Sequence, residues 1–134
     1  MSGETSLKIL LQQMKPELHL GEYIFTNVEN TEHISRSDIL CEFKETEGTT
    51  IIIERKKADA LGLKYDQITS WITLKVHSSL QAVGFTAAFS TALTKENIAC
   101  NVIAGYYHDH IFVHHTDAEK AIAILNRLSE NQMP

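Results

Sequence analysis

The sequence predicts an α+β chain assembled from two similar halves. Three observations carry that expectation. Apolar residues recur with the period of helices in some stretches and alternate with the period of strands in others, over all 134 residues. Each half, residues 1–68 and 69–134, holds roughly three strands and two helices. No apolar run approaches about 18 residues, the length a membrane-spanning helix needs.

Leu7, Leu10, Leu11 and Met14 follow i, i+3, i+4, i+7 and predict an amphipathic helix that Pro16 ends. Glu22 to Val28 is aromatic and β-branched, a strand. The polar run Glu29 to Ser37 is a loop. Ile39 to Glu45 and Thr49 to Ile53 are two more strands, joined by the glycine-containing turn Glu45-Thr46-Glu47-Gly48. Arg55 to Leu61 is a short helix, with Gly62 placed to take the left-handed residue after it.

In the second half, Ile72, Leu74 and Val76 alternate with Thr73 and Lys75, a half-buried strand over Trp71 to Val76. Ser78 or Ser79 can cap the helix that follows. That helix is expected from Leu80 to Asn97, with Ala82, Phe85, Phe89, Ala92 and Leu93 as its apolar stripe. Ala99 to Gly105 is a strand, Tyr107-His108-Asp109 a turn, and His110 to His114 the returning strand. Thr116 and Glu119 have capping-box spacing before a last helix that buries Ala118, Ala121, Ile122, Leu125 and Leu128. The tail from Glu130 to Pro134 is polar. The first half thus reads helix-strand-strand-strand-helix and the second strand-helix-strand-strand-helix. The near-repetition points to a duplicated ferredoxin-like βαββαβ unit, with antiparallel sheets and helices on one face. A unit of that size buries little core by itself, so the two are expected to pack together or share strands. Lys64 to Thr69 lacks the composition of a flexible linker.

The formal net charge of −5 argues against a general nucleic-acid binder, which needs cations to displace phosphate counterions. The first residues, Met1-Ser2-Gly3-Glu4-Thr5, lack a basic leader region, so a cytoplasmic location is expected. Cys41 and Cys100 lie far apart in strand-like runs and read as reduced thiols packed as small hydrophobes.

The segment Ile72-Thr73-Leu74-Lys75-Val76-His77-Ser78-Ser79-Leu80-Gln81-Ala82-Val83-Gly84-Phe85 resembles the first strand, loop and first helix of an ACT domain. Leu93 to Gly105 is similar to the end of that helix and the second strand, and Asp117 to Leu125 to the closing helix. In the first half, Thr46-Glu47-Gly48-Thr49-Thr50 resembles a turn of the small stand-alone tandem-ACT proteins of bacteria, as does residues 106–113. The resemblance implies a regulatory fold that binds small effectors, often amino acids, at interfaces between ACT units, here without an attached catalytic domain. It also implies that the loop from His77 to Phe85 forms the pocket, with His77, Ser78, Ser79, Leu80, Val83, Gly84 and Phe85 against the ligand.

The residues support that reading on their own terms. The first N–H groups of a helix lack internal acceptors and its dipole makes that end positive, so a carboxylate binds there without a basic side chain. Asn101, Asp109 or backbone carbonyls are candidates to receive an ammonium. Gly84 on the first turns would permit close approach. Capping alone also accounts for the serines, tight helix–sheet packing for Gly84, and the core for Phe85 and Phe89.

His108, His110, His114 and His115 crowd one stretch. A metal needs three or four ligands converging at ~2.0–2.2 Å. Spacing places His110 and His114 on one face without guaranteeing a third, so His108, His110 and His114 form only a weaker metal alternative. If these side chains sit at an interface, association through residues 110–114 is expected to weaken on acidification. Glu42, Glu45, Glu47 and Glu54 read as a solvated face, and Arg55-Lys56-Lys57 as the wet side of a helix. GxSxG, GxxxxGK[ST], GxGxxG and EF-hand patterns are absent. The expectation is therefore a non-enzymatic regulatory protein that binds an amino acid, uses no cofactor, contacts neither nucleic acid nor membrane, and forms a homodimer through exposed strand edges. Two alternatives are an interaction module that partners a separate metabolic enzyme, and a small metal-dependent enzyme using His108, Asp109 and His110.

Overall fold

The computed structural model describes residues 6–76 and 84–132. The apolar stripe of the first helix, α1 (Leu7–Gln13), buries Leu10 and Leu11, and Met14 just beyond it is buried as well. Three residues then form a short strand, β1 (Pro16–Leu18), in a stretch where the sequence shows only a helix stop. β2 (Tyr23–Val28) follows, and residues 29–38 are irregular until a single 3₁₀ turn at Arg36–Asp38. β3 (Ile39–Glu45) and β4 (Gly48–Glu54) form the expected hairpin. α2 (Arg55–Ala60) ends as anticipated: Gly62 has φ +69°, its N–H reaches the Asp59 carbonyl at 3.1 Å, and the Leu63 N–H reaches Ala58 at 2.9 Å.

β5 (Thr69–Leu74) leads toward α3 (Phe85–Lys95), which stops in the same way on Asn97 (φ +60°), with Ile98 donating to the Leu93 carbonyl at 3.0 Å. β6 (Cys100–Ala104) and β7 (Asp109–His114) form an antiparallel hairpin, and α4 (Ala118–Glu130) closes the chain. The capping box expected at Thr116 and Glu119 does not form. His115–Asp117 is a 3₁₀ turn instead, and the Thr116 N–H and hydroxyl both engage His114 Nδ1, at 3.3 and 2.7 Å.

By its contacts the chain divides into two compact units, and they are not the sequence halves. One joins Met1–His19 to Trp71–Pro134, and the other is the stretch between, Leu20–Ser70. In the outer unit the strand order is β1-β5-β7-β6, a ferredoxin-like sheet whose fourth position is filled by the N-terminal strand. The ladder pairs Pro16 with Leu74, Glu17 with Thr73 and Leu18 with Ile72. Backbone bonds from Lys75 to Lys15 and from His19 to Trp71, both 2.9 Å, extend it at each end. Ile72 and Leu74 of β5 and Ile111 and Val113 of β7 share one face, where they meet Leu10, Leu11 and Met14, Phe85, Phe89 and Leu93, and Ala121, Ile124 and Leu125. α1, α3 and α4 thus cover one side of an antiparallel sheet. Ser129 Oγ donates to the Gln12 carbonyl at 3.0 Å and pins α1 to α4.

The inner unit has the order β3-β4-β2, with Thr69 at the start of β5 pairing Tyr23. Its core is Ile24, Ile34, Ile51, Ile53 and Ala58. Where the repeat pattern calls for a first helix it has the irregular stretch 29–38, from which only Ile34 reaches the core. No helix among the described residues is long and apolar enough to cross a membrane.

Truncating a fully buried leucine costs about 2–5 kcal/mol. Leu10→Ala is therefore expected to lower the unfolding free energy by that amount in urea melts. A fragment of residues 69–134 lacks β1 and the α1 stripe, and its circular dichroism is expected to be that of an unfolded chain.

Candidate functional site

Of the residues expected to line a pocket, His77, Ser78, Ser79, Leu80 and Val83 lie outside the described residues. Gly84 is described, and it stands before helix α3 rather than on its first turns. It is the N-cap residue at φ +91°. A Cβ there would lie 3.4 Å from Leu7 Cδ2, an ordinary contact, so the backbone conformation and not lack of space calls for glycine. A glycine cap has no side chain to accept from the first turn, and the Gly84 carbonyl receives the Ala88 N–H at 2.8 Å. Phe85 is a core residue: it is 3% exposed and packs edge-on against Phe89 with ring centroids 5.3 Å apart.

Asn101 and Asp109 do not converge. The β6·β7 register pairs Asn101 with Phe112 and Ala104 with Asp109. Paired residues share a face and neighbours alternate, so Asp109 lies on the helix-covered face with Ile111 and Val113, while exposed Asn101 lies on the other. Asp109 is 9% exposed. Burial pushes that carboxyl above the usual carboxylate range, and His108 opposes the rise. Chain order sets its place along the sheet. α3 returns from the end of β5 to the start of β6, so the end of β6 and the start of β7 come back to the level where α3 begins. Gly84, Phe85 and Asp109 thus belong to one end of the outer unit.

The histidines are used differently from a metal centre. Among the described residues no three His, Cys, Asp or Glu side chains are placed to hold an ion, so the alternative built on His108, His110 and His114 lacks its convergence. His114 is taken up by Thr116, and His108 Nδ1 is buried without a hydrogen-bond partner. His110 faces the helix-free side and anchors a relay that sequence spacing did not reveal. Trp71 Nε1 lies 3.1 Å and Thr73 Oγ1 3.0 Å from His110 Nδ1, and His19 Nε2 lies 2.7 Å from Thr73 Oγ1. An indole N–H only donates. His110 Nδ1 must therefore accept, Thr73 must donate to it, and His19 Nε2–H must donate to Thr73. The His19 ring stacks on Trp71 at 3.5 Å. Alternation along β5 shows Trp71 and Thr73 as partners; nothing in the sequence brings His19 to them.

Burial is the main cause that holds both His19 and His110 below the ordinary imidazole value; His108 and His19 add to it at His110. An imidazole depressed in the fold takes its proton more readily in the unfolded chain. Its contribution is complete above the unfolded value, ~6.5, and is lost as pH falls from there through the folded value. Asp109, raised by burial, acts with the opposite sign nearer the carboxylate range. Urea midpoints are therefore expected to fall between about pH 7 and 5, and the paired change His19→Gln, His110→Gln to flatten that limb. The fluorescence of Trp71, the single tryptophan, reports the same protonation.

Residues 2–70 and residues 68–127 each match a family model described as an ACT domain. A solved Vibrio cholerae protein of unknown function, described as a possible transport protein, is 46% identical with a TM-score of 0.83, over 96% of this chain and 99% of that one. The regulatory subunit of aspartate kinase from Thermus thermophilus is similar in fold at 7% identity, TM-score 0.58, over 84% of this chain and 95% of that one. Clostridium acetobutylicum aspartate kinase matches at 13% identity and TM-score 0.59, over 86% of this chain and 34% of that one. No match was found among curated proteins. The family matches meet at residues 68–70 and together span nearly the whole sequence: the chain belongs to the ACT domain family and carries two ACT domains in tandem.

Proposed function

We propose that this chain is a non-catalytic regulatory protein of the cytoplasm that binds a free amino acid at the end of the outer unit where α3 begins. The observation that carries the reading is Asp109. A carboxyl buried on the helix-covered face is costly unless something offsets its charge, and burial already pushes its pKa up. At the same end of the unit, α3 starts on a glycine with no side chain to cap its first N–H groups. An α-amino acid complements that pair, its carboxylate on the amides and its ammonium on Asp109. His77, Ser78, Ser79, Leu80 and Val83 complete the pocket in this proposal, and Asn101 is not part of it. Family membership supports a small effector as the ligand.

Binding acts by shifting a conformational or oligomeric equilibrium, which requires different affinity in the two states. β6 ends the outer sheet, and an unpaired strand edge favours a homodimer.

A thermal-shift screen over the twenty amino acids tests the reading. A ligand at 100 times its Kd adds ~2.7 kcal/mol to stability. Asp109→Asn is expected to leave the free protein as stable or more so, since it removes a buried charge, and to abolish the ligand-dependent gain. Full gain in that variant, or no stabilising amino acid at all, would refute the proposal.

A further inference from the structure

We propose that β1 is an acid-released strand: the side-chain relay of His19, Thr73, His110 and Trp71 latches it onto β5, and protons on the two imidazoles free residues 15–19 while α1 stays docked, uncovering the edge of β5. The opening is local and precedes the global loss of stability. It lies on the helix-free face of the outer unit, so it is independent of Asp109 and of any ligand where α3 begins.

Two attachments that share no side chain hold the N-terminal segment. α1 buries Leu10 and Leu11, and Met14 follows them into the same core. Ser129 Oγ donates to the Gln12 carbonyl at 3.0 Å and Gln12 Nε2 to the Gln132 carbonyl at 2.6 Å, so α1 is tied to the end of α4 without help from β1. β1 is three residues long, none of its side chains belongs to that core, and Glu17 and Leu18 are exposed. Beyond it the chain turns away on Leu20, 94% exposed, and on Gly21 at φ +91°. At the near end Lys75 Nζ meets Glu17 Oε2 at 2.8 Å, an ion pair about half in solvent that contributes little. The far end is held by His19. Its N–H reaches the Trp71 carbonyl at 2.9 Å, its ring lies 3.5 Å over Trp71, and its Nε2 is 2.7 Å from Thr73 Oγ1.

Acid acts on the second attachment and spares the first. Trp71 Nε1–H and the Thr73 hydroxyl both point at His110 Nδ1, at 3.1 and 3.0 Å. A proton on that nitrogen removes the acceptor. The hydroxyl can turn and accept instead; the indole cannot, so Trp71 loses its partner in every arrangement. A proton on His19 then sets a second cation across Thr73 from the first. The charges facing the pair do not cancel this. His108 faces His110 as a further cation, and of the two charges facing His19, Glu17 favours its protonation while Lys75, which pairs with Glu17, opposes it. Burial is the larger cause at both rings and holds both below the ordinary imidazole value. Once β1 is off the sheet the rings regain that value, ~6.5, so the open form binds protons first and acid favours it. The opening constant rises about tenfold per pH unit for each imidazole that protonates on opening, from ~6.5 down to its folded value. What is uncovered is the backbone edge of β5 beside Trp71–Lys75, a row of amides and carbonyls open to addition of another strand.

The test is amide hydrogen exchange on the full-length ¹⁵N-labelled chain at pH 7.5 and 5.5, each rate divided by the intrinsic rate at that pH. The reporters are the amides of His19 and Lys75, which bond across the β1–β5 ladder to Trp71 and Lys15; the controls are Met14, bonded within α1 to Leu10, and Ala88, bonded to Gly84 at the start of α3. Protection at His19 and Lys75 is expected to fall about tenfold or more on acidification, and by much less at Met14 and Ala88. In the paired variant His19→Gln, His110→Gln the reporters are expected to keep one protection at both pH values. An equal fall at all four amides would mean that acid opens the unit only as a whole and would overturn the proposal. So would unchanged protection at His19 and Lys75. A pH response that survives in the paired variant would place the titrating groups elsewhere and overturn it too. The wild-type comparison decides by itself if the variant does not fold.

Discussion

The outer unit depends on one constraint: its core closes only when the two ends of the described chain meet. Ile72 and Leu74 present an apolar face that α3 and α4 cover in part, and Leu10, Leu11 and Met14 supply the remainder. The edge of β5 beside Trp71–Leu74 would expose unpaired amides if Pro16–Leu18 did not lie along it. The whole stretch Leu20–Ser70 separates the two partners in sequence. Closing a loop of that length is a modest entropic cost because it grows only with the logarithm of length. The burial of three large side chains and a strand ladder outweighs it. The stability of the C-terminal helices is therefore tied to residues at the other end of the sequence, and the contacts that complete the core are the non-local ones that form slowly.

The same strand carries a polar constraint on its other face. Trp71 can only donate, and that single fact orients His110, then Thr73, then His19. The relay joins the residue after β1 to β5 and β7 by side chains where the backbone ladder joins β1 to β5. Two imidazoles are held neutral by their own burial, so the network is intact where they are uncharged and is opposed where they are not. His108, which contributes to the field at Glu17, Asp109 and His110, carries the one buried nitrogen left without a partner among the described residues. The histidine-rich stretch is thus a packing and electrostatic device of the sheet.

Much of the fold was legible in the sequence because it is written in local periodicity. The α1 stripe, the β3–β4 hairpin and the Gly62 stop follow from spacing and turn chemistry, as do Ala118, Ala121 and Leu125 on the buried face of α4, where Ile124 and Ser129 are buried while Ile122 and Leu128 are only partly so. What was not legible is tertiary. β1 is three residues long and begins with proline; it is a strand only because β5 lies beside it. The spacing of Thr116 and Glu119 fits a capping box, but His114 competes for Thr116 and wins. Gly84 looked like a glycine inside a helix because the stripe through Ala82 and Phe85 has helical period, whereas its backbone is left-handed and α3 starts after it. Asn101 and Asp109 are alternative ammonium acceptors by residue type, and residue type does not say which face each takes. The hairpin register, fixed by the turn in which Gly105 donates to the His108 carbonyl at 2.9 Å, sends them to opposite faces.

The burial of Asp109 bears on what occupancy of the site at α3 would do. Asp109 is a buried carboxyl, so its charge is penalised by the fold before any ligand arrives. An ammonium that offsets the penalty also lowers the carboxyl's pKa, so binding at that end releases a proton when Asp109 starts protonated, and its affinity rises with pH through that range. Occupancy of that site would thus be linked to protons.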